Sequence, residues 1–346
     1  MKRNPLGRTG LTVPQICLGS MTWGHQNTES EAFEQMDYAL DQGIDFIDTA
    51  ELYPTVPAKP ATQGDTESII GNWLAARGNR DAMMIATKVA GVGSSWIQGG
   101  IPVGPEKIRN SLDASLKRLQ TDYVDLYQLH WPNRGHYHFR RNWDYTPSLQ
   151  EKNVAQDIAD TLGELGRQVD AGKIRAIGLS NDTTWGTMQF LQIAAANGLP
   201  RVASVQNEYS LLYRPFDLDM AEMSHHEDVG LLAYTPLGGG VLSGKYSGGT
   251  IPDGSRASRE TDIGGRRNDR SIALADKYAA LAREHGLDPA EMAIAFCLGR
   301  PFMASAIIGA TNMQQLQSVI SASDITLSEE VLKGIDTLYR EIQYSY

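Results

Sequence analysis

Apolar and polar positions along this chain follow two alternating periods. Short apolar runs rich in β-branched residues, typical of buried strands, are followed by longer segments with apolar residues every three or four positions, typical of helices. From residue 16 onward the pattern predicts eight strands, at residues 16–19, 44–48, 83–87, 124–130, 174–179, 203–206, 230–234 and 304–308.

Helices are predicted between these strands, and several have clear ends. Gly43 follows the first helix, Pro105 suits the first turn of another, and Gly172 follows a longer one. The predicted helices are at residues 28–42, 65–77, about 105–119, 154–171, 184–197, 216–227 and 312–322. Two extra helices, at 272–282 and 331–338, are expected to pack on the outside. A Gly-Arg-Thr-Gly turn within residues 2–15 predicts a β-hairpin that caps one end of the main fold.

This alternation predicts an α/β protein that folds as one (β/α)8 TIM barrel over residues 1–346. The alternative is a doubly wound sheet, which usually carries a glycine-rich phosphate turn after its first strand, and this chain has none there. Three segments are longer than a barrel needs, at residues 54–64, 132–153 and 238–270. All follow the carboxyl ends of strands, where loops determine which substrate and cofactor bind.

Charge, cysteine content and the lengths of apolar stretches argue against several classes of protein. A formal net charge of −10 argues against a nucleic-acid partner, which needs a basic face. The two cysteines, Cys17 and Cys297, lie far apart among apolar neighbours, so buried free thiols are expected rather than a disulfide or a metal site. The N-terminus lacks a signal-peptide pattern and no apolar stretch is long enough to span a bilayer, so we expect a soluble protein of the cytoplasm with no membrane partner.

Four chemically useful side chains follow successive strands. Asp48 ends one strand and Tyr53 lies five positions later, while Lys88 and His130 follow the next two strands. Reduction of a carbonyl needs a proton donor, and a phenol serves if a nearby ammonium lowers its pKa. We therefore expect Tyr53 to be the acid, Lys88 to lower its pKa, Asp48 to orient Lys88, and His130 to polarise the carbonyl. Each residue alone also fits an ordinary structural role.

Motifs in a fixed order extend this interpretation to nearly the whole chain. They are Gly-Arg-Thr-Gly-Leu-Thr-Val-Pro at 7–14, Gly-Ile-Asp-Phe-Ile-Asp-Thr-Ala-Glu-Leu-Tyr at 43–53, Thr-Lys-Val at 87–89, Leu-Tyr-Gln-Leu-His-Trp-Pro at 126–132, Gly-Leu-Ser-Asn at 178–181 and Ile-Ile-Gly-Ala-Thr-Asn at 307–312. With these motifs the chain resembles the aldo-keto reductases. The long loops and Tyr-Thr-Pro-Leu-Gly-Gly-Gly at 234–240 resemble the bacterial branch related to the potassium-channel β subunits.

The resemblance implies a catalytic tetrad of Asp48, Tyr53, Lys88 and His130, and NADP(H) extended across the barrel mouth. Tyr234 would stack on the nicotinamide. Trp23, at the tip of the first strand, is expected to form a wall next to the nicotinamide, and a plain packing role fits it nearly as well. The remaining expected cofactor residues are Asp48, Ser180, Asn181, Gln206, Thr235, Pro236, Leu237, Gly239, Ser243, Lys245, Arg256, Ile308, Gly309, Ala310, Thr311 and Gln315. The chain departs from the family pattern at Ser318 and Val319, where members of this branch often carry an acid and an amide that hold the adenine.

Two other patterns carry weaker hypotheses. Residues 239–245 nearly match a nucleoside-triphosphate loop, but Tyr246 follows where magnesium binding needs Ser or Thr, so no such loop is expected. His136 and His138, one residue apart and near His130, suggest a metal site that lacks an acidic or thiol ligand, so none is expected. Residues 136–141 are expected instead to face the substrate, with Arg140 and Arg141 available to an anion.

The expected function is NADPH-dependent reduction of an aldehyde or ketone, a small-molecule substrate, with hydride from nicotinamide C4 and the proton from Tyr53. The alternative, suggested by the resemblance to the potassium-channel β subunits, is a regulatory protein that binds the cofactor and senses redox state with slow turnover. Neither the substrate nor the oligomeric state follows from these patterns, because specificity in this fold depends on loops.

Overall fold

The computed structural model describes residues 1–343. A two-stranded antiparallel hairpin, β1 (Arg3–Pro5) and β2 (Thr12–Pro14), precedes eight parallel strands that close into a barrel. The barrel strands are β3 (Ile16–Gly19), β4 (Phe46–Asp48), β5 (Met84–Val89), β6 (Val124–Leu129), β7 (Ile174–Ser180), β8 (Val202–Glu208), β9 (Gly230–Tyr234) and β10 (Met303–Ile308). Pairing of β10 with β3 closes the barrel, with Ile307 opposite Cys17. The predicted (β/α)8 barrel is confirmed.

Helices surround the barrel. They are α1 (Glu29–Asp41), α2 (Asp65–Arg77), α3 (Pro105–Leu119), α4 (Ala155–Asp170), α5 (Thr184–Asn197), α6 (Asp219–Glu227), α7 (Asp269–Glu284), α8 (Pro289–Leu298), α9 (Met313–Ser321) and α10 (Glu329–Gln343). Local chemistry explains the helix ends. Thr28 and Glu31 form a capping box at the start of α1, and Gly198 ends α5 in the left-handed conformation.

The extra helices α7 and α10 were predicted, and they pack against each other outside the barrel, where Lys277 and Glu341 form an ion pair of 2.5 Å. Two details differ from prediction. The helix expected at 216–227 is a short 3₁₀ turn, Pro215–Asp217, followed by α6. Helix α8 was not predicted, because its apolar residues occupy all sides of the helix and show no amphipathic period.

The hairpin fills the end of the barrel at which the strands begin. Leu6 and Val13 are fully buried and belong to the same apolar cluster as Phe46, Leu126 and other inward residues of the barrel. Gly7 has a φ of +57°, and a Cβ there would lie 2.6 Å from the Ala203 carbonyl oxygen, so the turn approaches the barrel as only glycine permits. The expected hairpin cap is therefore confirmed.

A second and larger apolar cluster fills the space between the strands and the surrounding helices. Cys17 and Cys297 are both free and buried, as expected. Within residues 1–343, no helix is both long and apolar enough to cross a membrane. With one end of the barrel filled by apolar side chains, the polar side chains at the opposite end mark the place for chemistry.

Candidate active site

Adjacent strands bring the four predicted catalytic residues together. Asp48 is the last residue of β4, Lys88 lies in the neighbouring β5, and His130 follows β6. Tyr53 reaches the same place from the loop after β4, where its backbone N–H donates to the Ala50 carbonyl. The geometry arises because the carboxyl ends of parallel strands meet at one rim of a barrel.

Lys88 is the centre of the group. Its ammonium donates to Asp48 Oδ2 at 2.7 Å, to the Thr49 carbonyl at 2.8 Å and to Tyr53 Oη at 3.3 Å. The side chain of Lys88 is fully buried, and that of Asp48 is nearly so. A buried ammonium with three acceptors is satisfied and held in one position, so the phenol of Tyr53 has a fixed cationic neighbour.

Burial and charge act on the pKa values of this group in opposite directions. Burial alone would lower the pKa of Lys88, but Asp48 and Tyr53 outweigh it and the pKa is raised. Burial raises the pKa of Tyr53 above its usual value, and Lys88 offsets only part of that increase. Lys88 lowers the pKa of Tyr53 as expected, but desolvation of the phenolate exceeds the attraction of the ammonium, so the net shift is upward. At neutral pH the phenol carries its proton.

His130 is an uncharged ring beside the phenol. Burial and the nearby Lys88 ammonium hold the pKa of His130 well below its usual value. The Tyr53 and His130 rings meet edge to face, with their centroids 5.8 Å apart. In its neutral form the imidazole has one N–H to donate, so it suits a hydrogen bond to a carbonyl oxygen better than the delivery of a proton.

Two buried amides hold the second oxygen of Asp48. Gln206 Nε2 donates to Asp48 Oδ1 at 2.7 Å and to Gln128 Oε1 at 3.2 Å, and Gln128 Nε2 donates to Asp48 Oδ1 at 3.2 Å. No local pattern in the sequence distinguishes Gln128. Its position on β6, two residues before His130, is the only signal that it points into the barrel.

Glu51 fixes the backbone around Lys88. Its N–H donates to the Lys88 carbonyl at 3.2 Å, and its carboxylate accepts from the Ala90 N–H at 2.6 Å. The side chain is buried, which raises its pKa. Glu51 therefore fastens the loop that carries Tyr53 to the strand that carries Lys88, a role that its place in the motif does not reveal.

A cavity of about 920 Å³ opens at this rim of the barrel. Asp48, Tyr53 and His130 line it. Among the expected cofactor residues, those that line it are Asp48, Ser180, Asn181, Gln206, Tyr234, Thr235, Pro236, Leu237, Gly239, Ser243, Lys245, Arg256, Ile308, Gly309, Ala310, Thr311 and Gln315. Further lining residues that were not predicted include Gly19, Ser20, Met21, Thr22, Leu52, Thr55, Trp131, Gly240, Arg259, Arg266 and Gln314.

Trp23 does not line this cavity. The side chain is fully buried, and its indole N–H donates to Gln35 Oε1 at 3.0 Å. The expectation that Trp23 forms a wall beside the cofactor is corrected: the ring packs behind the strand tip, where helix α1 satisfies its polar atom. Trp23 thus has the packing role that its sequence position equally allowed.

Hydrogen-bonding groups occupy one side of the cavity. Asn181 Nδ2 donates to the His130 carbonyl at 2.9 Å, and Tyr234 Oη donates to Asn181 Oδ1 at 2.5 Å. Ser180 Oγ donates to the Gln206 carbonyl at 2.9 Å. Residues from β7, β8 and β9 therefore form one connected wall next to His130.

Positive charge is concentrated farther along the cavity, in the segment after β9. Among the cavity-lining residues within 1–343, the lysine and arginine side chains are Lys245, Arg256, Arg259 and Arg266. Arg256 contacts Glu260 at 3.0 Å, and Arg266 contacts Glu208 at 2.9 Å. Such a segment provides cations for an anionic ligand and can lie against it.

The start of α9 faces the same region. Asn312 caps the helix by accepting from the Gln315 N–H at 2.9 Å, and the Gln315 side chain accepts from the Thr311 N–H at 3.0 Å. Ser318 and Val319, the two departures from the family pattern, also line the cavity. A helix N-terminus beside basic side chains is a suitable place for a phosphate.

The segment at 136–141 does not meet the earlier expectation for its arginines. Arg140 pairs with Glu208 at 2.5 Å and Arg141 is exposed, and neither lines the cavity. His138 contacts the Asp182 carbonyl at 3.0 Å. The described part of the chain contains no group of His, Cys, Asp and Glu residues that is able to hold a metal ion. From this segment, only Phe139 reaches the cavity.

A buried Asp–Lys–Tyr group with a neutral histidine provides a proton donor and a hydrogen-bond donor at one rim of the barrel, as an oxidoreductase that acts on carbonyl groups requires. The chain belongs to the aldo/keto reductase family, whose family model matches residues 15–340. It is similar to Protein tas of Escherichia coli strain K12, with 44% identity covering 99% of each chain.

More distant relatives bear oxidoreductase names. The "Uncharacterized oxidoreductase YrpG" of Bacillus subtilis is 33% identical over 98% of this chain and 96% of its own length. The norsolorinic acid reductase of Aspergillus flavus is 27% identical over 94% of this chain and 78% of its own. Family and relatives together support carbonyl reduction in general.

Proposed function

We propose that this protein reduces aldehydes or ketones to alcohols with NADPH, and that Tyr53 supplies the proton. The observation that carries the proposal is the contact of 3.3 Å between the Lys88 ammonium and the Tyr53 hydroxyl, inside a buried group completed by Asp48. An ammonium at this distance stabilises the phenolate that remains after the proton leaves. The reductase name of the Aspergillus relative agrees with this direction of reaction.

Tyr53 and His130 divide the work on the carbonyl oxygen. The raised pKa of Tyr53 keeps the phenol protonated at neutral pH, so a proton is available for the developing alkoxide. The lowered pKa of His130 keeps that ring neutral, so it donates a hydrogen bond and orients the oxygen. Asp48 holds Lys88 in place by accepting a hydrogen bond of 2.7 Å from its ammonium.

The residues along the cavity fit a phosphorylated dinucleotide. The Thr235 hydroxyl on the cavity wall is buried without a hydrogen-bond partner in the described part of the chain, as a ligand-facing group would be. The wall formed by Ser180, Asn181 and Tyr234 suits a carboxamide-bearing ring. Lys245 and Arg256 suit phosphates, together with the start of α9. When bound, the reduced nicotinamide supplies the hydride.

The preference for NADPH over NADH rests on charge. Lys245, Arg256 and Arg259 line the cavity, and within residues 1–343 Arg256 alone of the three forms an ion pair, with Glu260. An additional phosphate on the cofactor would gain from these cations, so we expect NADPH to bind more tightly than NADH. The measurement is the quenching or enhancement of NADPH and NADH fluorescence on titration with the protein.

Exchange of Tyr53 for phenylalanine tests the mechanism. Tyr53→Phe removes the proton donor and leaves the ring, so turnover of an aldehyde should fall at least ~100-fold while NADPH binding persists. Tyr145→Phe is the matched control, because that hydroxyl accepts from Gln150 outside the cavity and its loss should leave turnover unchanged. Retention of most turnover by Tyr53→Phe would refute the assignment. Tight NADPH binding by the unmodified protein without oxidation by any aldehyde would favour the regulatory alternative.

A further inference from the structure

Asp182 directly follows Asn181, a residue of the cavity wall, but does not line the cavity itself. We propose that Asp182 is a positioning residue that holds the long loop after β6, residues 132–153, in place at the mouth of the cavity. It acts on this segment, the β6 loop, through Arg134 and His138. Asp182 therefore connects the wall proposed for the cofactor with a loop from another side of the mouth. The inference rests on the proposed function only for the reaction that its kinetic test measures.

Contacts with strand β8 fix the backbone of Asp182. Its N–H donates to Asn207 Oδ1 at 3.2 Å, and its carbonyl accepts from Asn207 Nδ2 at 2.9 Å. The preceding residue, Asn181, has a φ of +54°, in the left-handed region that asparagine tolerates better than most residues. This turn leaves the side chain of Asn181 at the cavity and that of Asp182 outside it.

The β6 loop is attached to Asp182 at two points. Arg134 Nη2 donates to Asp182 Oδ1, and His138 Nε2 donates to the Asp182 carbonyl at 3.0 Å. Phe139 directly follows the second point and lines the cavity. Because the two points are only four positions apart, this part of the loop is held against one rigid residue, and the position of Phe139 depends on that attachment.

The ion pair between Arg134 and Asp182 is buried, with side chains 8% and 2% exposed. Burial raises the pKa of Asp182, and the charge of Arg134 is the strongest influence in the opposite direction. Arg134 also donates to Thr183 Oγ1 at 3.3 Å and lies over the Trp185 ring, 5.4 Å from its centroid. A buried ion pair depends on both partners, because removal of one leaves the charge of the other unpaired.

Gly186, in the first turn of α5, makes room for this pair. A Cβ at this position would overlap both Arg134 Nη2 and Asp182 Oδ1. The φ of Gly186 is not in the left-handed region, so its backbone conformation does not require glycine, and alanine is the better helix former. The space occupied by the ion pair therefore explains the glycine. Gly186→Ala offers a way to displace the pair without altering either partner.

Substitutions at the pair should change substrate binding rather than the chemical step. Asp182→Asn keeps the size of the side chain and removes its charge, so KM for 4-nitrobenzaldehyde at saturating NADPH should rise at least ~5-fold, with kcat and NADPH affinity nearly unchanged. Gly186→Ala should have the same effect. Gly163→Ala, inside α4, is the matched control, because its Cβ would lie 3.9 Å from Arg167 Nη1, an ordinary contact. A lower kcat with unchanged KM, as loss of folded protein would produce, would overturn the inference.

Variants of Arg134 separate the charge of the pair from its packing. Arg134→Met removes the charge and should raise KM as Asp182→Asn does. Arg134→Lys keeps a cation that can donate to the single oxygen contacted, so its KM should lie closer to that of the unmodified protein. In the double variant Asp182→Asn/Arg134→Met neither charge is left unpaired, so the two increases in KM should not multiply. Multiplied increases, or equal KM values for Arg134→Lys and Arg134→Met, would contradict the inference.

Limited proteolysis tests the position of the loop without turnover. Trypsin cleaves after arginine, and Arg141 in the β6 loop is exposed. We expect cleavage after Arg141, identified by mass spectrometry, to be at least ~5-fold faster in Asp182→Asn and Gly186→Ala than in Gly163→Ala or the unmodified protein, with unchanged rates outside the loop. This result supports the inference even if no aldehyde is reduced, which would refute only the reductase proposal. An unchanged rate after Arg141, or equal acceleration at all sites, overturns the inference even if reduction is observed.

Discussion

Gln206 donates a hydrogen bond of 2.7 Å to Asp48 from the opposite side of the barrel. The acceptor is Oδ1, whereas the Lys88 ammonium holds Oδ2. The carboxylate is therefore fixed at both oxygens, and its orientation depends on a strand that carries none of the four candidate catalytic residues. Because β8 also contributes to the wall proposed for the cofactor, this bond joins the two parts of the site.

Replacement of Gln206 by leucine should weaken both stability and turnover. Gln206→Leu removes the shorter of the two amide bonds to a buried carboxylate, so the free energy of unfolding should fall by about 1–3 kcal/mol, with a lower kcat. Gln128→Leu removes the longer bond of 3.2 Å and should cost less. Urea denaturation and steady-state kinetics of both variants test this order, which would be contradicted if Gln128→Leu were the more damaging.

Asp48 and Lys88 should show strong energetic coupling. Asp48→Asn leaves a buried ammonium without its counter-ion, and Lys88→Met leaves a buried carboxylate, so each single change should destabilise the fold by about 3–5 kcal/mol. The double variant buries neither charge and should be less destabilised than the sum of the two. A double-mutant cycle by chemical denaturation provides the coupling energy, and strictly additive losses would argue against a tight pair.

Reduction should tolerate alkaline pH until the phenol ionises. Burial raises the pKa of Tyr53 above 10, so the acid form needed for proton donation persists at pH 8 and 9. We expect kcat for reduction, measured with saturating NADPH and aldehyde, to show no loss between pH 7 and 9 that arises from this group. The raised pKa would be contradicted by a decline of kcat centred near pH 7. The decline would have to occur in Tyr145→Phe as well, and a solvent-isotope effect would have to attribute it to proton transfer.

Acidification should destabilise the fold through two histidines. The pKa values of His136 and His138 are lowered to about 4, mainly by burial, whereas an unfolded histidine titrates near 6.5. Between these values the unfolded chain binds more protons. Stability therefore falls as pH drops from about 6.5 to 4, by at most about 1.4 kcal/mol per pH unit for each residue.

Thermal denaturation between pH 4 and 7 checks this slope. His138→Gln removes one titrating group and keeps a donor for the Asp182 carbonyl, so its stability should depend less steeply on pH than that of the unmodified protein. His226→Gln, an exposed change on α6, controls for the substitution itself. An identical slope in His138→Gln and the unmodified protein would show that His138 does not titrate in this range.

Local pattern predicted the barrel and most of the candidate site for one physical reason. Each barrel strand is a short apolar run that is buried on both faces, and each ends where polar residues begin, as at Asp48. Parallel strands then bring those ends to one rim without further information. Helix α8 was not predicted because it is buried on all sides. It therefore lacks the polar face from which a helical period is recognised.

The features of the site that local patterns did not predict depend on contacts between residues far apart in the sequence. The sharing of Glu208 by Arg140 and Arg266 joins three distant segments, and no local spacing records it. Without that pairing, Arg140 appeared available to an anion. The sign of the Tyr53 pKa shift likewise required the depth of burial, because proximity to Lys88 alone predicts the opposite direction.

The hairpin that fills one end of the barrel has a consequence for the order of events during turnover. Leu6 and Val13 close that end, so traffic to and from the candidate site passes through the opposite rim. Because the barrel is closed at one end, molecules enter and leave through the same opening, and the molecule that binds last lies nearest to it. If the cofactor lies across the floor of the rim as proposed, the alcohol departs before it.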